Sequence, residues 1–99
     1  MPTTEIELAS VEGAESRSVQ LQLQADGAVR LHAYDKGATA KLTFDRDEYE
    51  FWVTVPAEAV ARLAFELMRD KFSGRLQAVT EFRDFCQSRE ITNIFDTWS

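Results

Sequence analysis

"SVQLQLQADGAVRLHAYDKG", residues 18–37, is the stretch on which the fold turns. Val19, Leu21 and Leu23 alternate with Gln20, Gln22 and Gln24; beyond Asp26-Gly27, Val29, Leu31 and Ala33 alternate with Arg30, His32 and Tyr34. A period of two on both sides of a turn dipeptide spells a β-hairpin. The register follows from the same alternation. A two-residue Asp26-Gly27 turn would set Leu23 opposite Arg30 and mix the faces. A three-residue loop, Ala25-Asp26-Gly27, sets Leu23 opposite Val29, Leu21 opposite Leu31 and Val19 opposite Ala33, and it gives Gly27 the left-handed position such loops require. A slip of one residue would turn every side chain over, so the three-residue loop is the reading. On the polar side Gln22 then faces Arg30, and Gln20 faces His32.

Upstream, Ile6 and Leu8 alternate with Glu5 and Glu7, which predicts a short strand at a sheet edge. Residues 10–18, "SVEGAESRS", are small and polar and read as a loop. Downstream, residues 35–41 read as a turn, and Leu42 and Phe44 as a short strand. In "DRDEYEFWVTVP", residues 45–56, Tyr49, Phe51, Val53 and Val55 occupy one side of a strand and Glu48, Glu50, Trp52 and Thr54 the other. That strand stops at Pro56, which suits the first turn of a helix because its missing N–H is not needed there.

The helix is predicted from about Pro56 to Lys71, with Val60, Ala61, Leu63, Ala64, Leu67 and Met68 on a broad apolar arc that needs a second element against it. A second helix is predicted from about Arg75 to Arg89. Its apolar half carries Phe82, Phe85 and Cys86, and a thiol there acts as a small hydrophobe. In the tail "ITNIFDTWS", Ile94 and Trp98 alternate with Phe95, which reads as a last short strand. The expected class is α+β: a mainly antiparallel sheet of four to five strands with two helices packed on one face, in a single domain over residues 1–99.

At 99 residues and 44% hydrophobic content, with seven Phe and two Trp, the chain can bury a core without staples. A single cysteine excludes an intrachain disulfide and a multi-cysteine zinc site. No apolar run approaches the ~20 residues of a membrane span. The N-terminus lacks the regions of a signal peptide, so the expectation is a cytoplasmic protein away from membranes. The net charge is −6, and −4 of it falls in residues 1–27, where Glu5, Glu7, Glu12, Glu15 and Asp26 face only Arg17. That distribution argues against nucleic acid, whose affinity rests on Lys and Arg at phosphates. It suits a partner with a basic surface.

The acids Asp45, Asp47, Glu48 and Glu50 could supply oxygen ligands, yet they lack the glycine and spacing of a calcium loop, and a solvated turn guarding a sheet edge is the better reading. His32 is the only histidine and has no convincing orienting partner, since Asp35 is too close in sequence. No phosphate-cradling glycine loop or nucleophile motif occurs. The expectation is a protein without enzymatic activity, cofactor or metal, with a metal-dependent enzyme on the Asp45–Glu50 acids as the weakest alternative.

The polar side of the sheet gathers Gln20, Gln22, Arg30, His32, Tyr34, Glu50, Trp52 and Thr54. Trp, Tyr and Arg are enriched at binding hot spots. The candidate contact residues are therefore Trp52, Tyr34, Arg30, His32 and Glu50, with Glu5 and Glu7 steering the approach. Base stacking on such a platform would need a basic groove, which is lacking. The alternative is that a second copy closes this face, making a structural homodimer.

"DGAVRL", "YDKG", "DEYEFWVTVPAEAVARL", "FRDFC" and "ITNIFDTW" together resemble a loose family of small acidic bacterial single-domain proteins. Its pattern is a strand-borne Tyr-Glu-aromatic-x-x-Thr-Val-Pro leading into a helix, and a tail ending aromatic-x-Ser/Thr-Trp; the resemblance spans residues 26–98. It implies no catalytic residues. In size and acidity it is similar to the immunity proteins and small inhibitors that bacteria use against toxins or phage-defence and CRISPR machinery, which implies a protein partner.

Overall fold

A computed structural model describes residues 4–37 and 48–98. It divides into two compact units, Met1–Ala64 and Phe65–Ser99. The first carries a four-stranded antiparallel sheet in the order β1-β2-β3-β4, with β1 Thr4–Val11, β2 Glu15–Leu23, β3 Val29–Gly37 and β4 Glu48–Val55. A short 3-10 turn, Ala57–Ala59, leads into helix α1, Val60–Phe72, and helix α2 spans Ala78–Ser88. Sheet and helices together make the class α+β. The short strand expected at Leu42 and Phe44 lies outside the described residues, as do Asp45 and Asp47 of the acidic group.

The β2–β3 hairpin has the register that its alternation dictates: Leu23 opposite Val29, Leu21 opposite Leu31, Val19 opposite Ala33, Gln22 opposite Arg30 and Gln20 opposite His32. Gln24 N–H donates to the Ala28 carbonyl at 2.8 Å and Gly27 N–H to that of Gln24 at 2.9 Å, leaving Ala25-Asp26-Gly27 as the loop. Gly27 takes φ 92°, and the Asp26 carboxylate accepts the Ala28 N–H at 2.9 Å. The turn is thus set by one residue that tolerates positive φ and one that bonds its own backbone.

Three boundaries differ from the sequence reading. Residues 10–18 are not a loop: β1 continues to Val11 and β2 begins at Glu15, joined by a turn at Glu12–Ala14. Residues 35–37 belong to β3, paired with Glu15, Ser16 and Arg17. Polar residues continue a ladder when their faces are wet, because the ladder needs only backbone groups. Across β1 and β2 the register shifts between Glu7 and Ala9, a bulge that leaves Leu8 without a direct partner.

The tail is the third difference, since residues 91–98 form no strand. The cause lies at the end of α2. Glu90 turns to φ 56°, Glu90 N–H reaches the Gln87 carbonyl at 3.3 Å, and Ile91 N–H returns to the Cys86 carbonyl at 2.8 Å. This left-handed closure satisfies the last carbonyls and throws the chain back along the helix. Ile94 and Phe95 then line the same small cavity of about 100 Å³ with Val79, Phe82, Arg83, Cys86 and Asn93. The Arg83 guanidinium lies 4.1 Å from the Phe95 ring centroid, within cation–π range. Cys86, 2% exposed, is packing in this unit, as its helix face indicated.

Pro56, with φ −65°, caps the 3-10 turn from outside rather than sitting in the helix, and its carbonyl accepts the Ala59 N–H at 2.9 Å. No helix among the described residues is long and apolar enough to cross a membrane.

Candidate functional site: the Trp52 face of the sheet

Residues directly opposite in an antiparallel ladder share a face, so the pairings sort the sheet without further assumption. One face has the rows Glu5–Gln22–Arg30–Thr54, Glu7–Gln20–His32–Trp52 and Ser10–Ser18–Tyr34–Glu50. All seven candidate contact residues lie on it, on β1, β3 and β4. The other face takes the aliphatic positions and the row Val11–Arg17–Asp35–Tyr49.

Trp52 is 53% exposed and is held from two sides by its β3 neighbours. His32, directly across, meets the indole edge-on with centroids 5.8 Å apart and planes at 71°. Arg30, one row away, places its guanidinium carbon 5.7 Å from the ring centroid and donates from Nε to Thr54 Oγ1 at 2.9 Å. Both arrangements suit the ring's quadrupole, negative on its face and positive at its edge. His32 Nε2 also sits 3.6 Å from Glu50 Oε1, in ion-pair range when the imidazole is protonated. The indole therefore has an anchored setting and an open surface.

The surrounding polar groups are tied to one another. Gln22 Nε2 donates to Glu5 Oε2 at 2.6 Å, bridging β2 to β1. The Tyr34 hydroxyl is bonded to Glu48. That bond, then burial, then the charges of Glu48 and Glu50, hold its pKa above the usual phenol value, so it stays a donor at neutral pH. Sequence reasoning left Glu48 out of the contact set. Its signal was available: with Tyr34 opposite Glu50, Glu48 is the diagonal neighbour two residues along the same face. Among the described residues the face holds four carboxylates, Glu5, Glu7, Glu48 and Glu50, against Arg30 and Lys36.

Among the described residues no group of three or more His, Cys, Asp or Glu side chains is placed to hold a metal ion. Comparison with protein-family models, curated proteins and solved structures finds no match.

Proposed function

We propose that the chain is a small acidic protein-binding module that lays the Trp52 face of its sheet on a basic surface of another cytoplasmic protein, in the manner of an immunity protein or inhibitor. The observation that carries this reading is the half-exposed Trp52, pinned by Arg30 and His32 within a face where carboxylates outnumber bases. An anchored aromatic loses little freedom on contact, so more of its burial appears as affinity. Carboxylates around it favour cationic partners and repel phosphate backbones, which disfavours nucleic acid. The groups on the face are hydrogen-bond donors, acceptors and one indole, a set suited to recognition, and the proposal assigns no catalytic step or cofactor.

The test is an affinity capture from source-cell lysate with the wild type and Trp52→Ala, both checked for folding by far-UV circular dichroism. The reading expects one stoichiometric partner that the folded variant loses, with an association rate that falls steeply between low and high salt. A partner retained in full by folded Trp52→Ala would reject this face as the contact.

A further inference from the structure

Histidine is the side chain whose ordinary ionisation falls between pH 5 and 8, and His32 is the only one in the chain. Its place in the sheet gives that change of charge two neighbours to act on. Trp52 stands directly across on β4, and Glu50, opposite Tyr34, is the diagonal neighbour two residues along the same face. The imidazole meets the indole edge-on with centroids 5.8 Å apart, and its Nε2 lies 3.6 Å from Glu50 Oε1. That separation is just beyond a hydrogen bond, so a small turn of either side chain closes it. All three residues belong to the unit Met1–Ala64, on adjoining strands.

The other titratable and charged groups of the sheet around the imidazole are largely engaged. On β3, Arg30 donates to Thr54 Oγ1 at 2.9 Å and lies over the indole. The bond from Tyr34 to Glu48, then burial and the nearby acids, raise the phenol pKa and keep Tyr34 neutral in this range. On β2, Gln20, directly opposite His32, donates to Ser18 Oγ at 3.4 Å, and Gln22 is held by Glu5. Glu7 lies one strand further along the row, beyond Gln20. Among the described residues Glu50 is thus the acid within ion-pair distance of the imidazole.

We propose that His32 is a proton-operated clasp: on protonation it closes on Glu50 and shifts against the indole, changing the setting of Trp52 and the charge of its face together. A neutral imidazole donates from one nitrogen, whereas the protonated ring donates from both. Its bond to a carboxylate is then charge-assisted, shorter and about twice as strong as a neutral one. Among the described residues of the face, four carboxylates then meet three bases instead of two. The consequence for binding rests on the reading of this face as the partner contact. A cationic partner group that pairs with Glu50 must displace the protonated imidazole, so binding releases the proton. Affinity then rises with pH through the histidine range, and one proton limits the slope to about tenfold per pH unit.

The clasp is tested first without a partner, by following the imidazole and Trp52 indole N–H resonances from pH 8 to pH 5, with the indole assigned in Trp98→Phe. The expected result is an indole shift that tracks the imidazole titration as a single proton and vanishes in His32→Gln. In Glu50→Gln the imidazole still titrates, but the indole response should shrink by at least half. An indole that stays still while His32 titrates overturns the proposal, and so does a full response in Glu50→Gln. Should His32→Gln not fold, Glu50→Gln carries the test alone, since it alters one exposed carboxylate and no packing. With a partner that Trp52→Ala loses, the wild type should bind roughly two- to fivefold more weakly at pH 5.5 than at pH 7.5, relative to His32→Gln. Equal pH profiles for the two would overturn the clasp's control of binding and leave the contact face standing. A partner that Trp52→Ala retains would reject that face, while the indole titration would still uphold the clasp.

Discussion

Arg17 and Asp35 stand opposite each other on β2 and β3, and the guanidinium holds the carboxylate through both Nε and Nη2, each 2.5 Å from its oxygen. The hydrogen bond from Arg17 lowers the Asp35 pKa, with their Coulomb attraction adding to it against the opposing effect of burial. A carboxylate depressed in the folded state stabilises the fold above its unfolded pKa. That contribution is lost as pH falls through the folded value. Glu81, held by Arg75 in the second unit through a hydrogen bond to each oxygen, is depressed in the same way. The urea midpoint of Asp35→Asn should therefore lie below the wild type at pH 7, and the gap should close as pH falls below about 4. A gap that stays constant down to pH 2 would mean that the pair does not contribute through ionisation.

Gly37 ends β3 opposite Glu15 with φ 133°, a region open essentially to glycine alone. A Cβ there would stand 2.6 Å from the Ala14 carbonyl oxygen and 2.9 Å from Glu15 Cα, and neither backbone atom can swing aside. Gly37→Ala should destabilise the sheet unit by about 2 kcal/mol or more, read from chemical denaturation. Loss of the β1–β2 turn region first, seen as faster amide exchange near Ala14 and Glu15, would identify the clash as the cause.

Glu90 occupies the left-handed position that closes α2, where glycine is the usual residue. A side chain there costs on the order of 1 kcal/mol, partly offset by the greater freedom glycine has when unfolded. Glu90→Gly should raise stability by roughly 0.5–1 kcal/mol in urea titration. A loss of stability would show that the Glu90 side chain has a partner whose value exceeds the backbone strain.

The hairpin was legible because two levels agree on it: alternation fixes the faces, and Asp26-Gly27 fixes where the chain turns. The same register, run two residues beyond Val19 and Ala33, would have paired Arg17 with Asp35, opposite charges in line across the ladder. Reading residues 10–18 as a loop from their polarity hid that. Alternation misled at "ITNIFDTW" for the reverse reason. Ile94 and Phe95 fall on opposite sides of an ideal strand, but the turn at Glu90 brings both against α2, and a non-glycine residue at φ 56° leaves no mark in composition. The seven contact candidates reached one face because strand parity alone places them. Which of them touch depends on rotamers, so the His32 edge and Arg30 face contacts on Trp52 were not available from spacing.

Those two contacts yield the most direct test of the candidate site. Trp98 is 98% exposed and would dominate any quenching experiment, so Trp98→Phe isolates Trp52 fluorescence. In that background acrylamide should quench Trp52 to an intermediate extent. Arg30→Ala removes both the cation over the ring and the bond to Thr54. Cation–π contacts at exposed sites contribute about 0.5–1 kcal/mol, so the indole should become more mobile and more quenchable while the fold persists. Arg30→Lys keeps the charge but not the planar fork, and should fall between the two. Partner affinity should weaken in the same order, by roughly two- to fivefold for Arg30→Ala if the anchored indole is what the partner meets. If quenching rises and affinity does not change, Trp52 is held for the sheet's own sake, and the contact surface lies elsewhere.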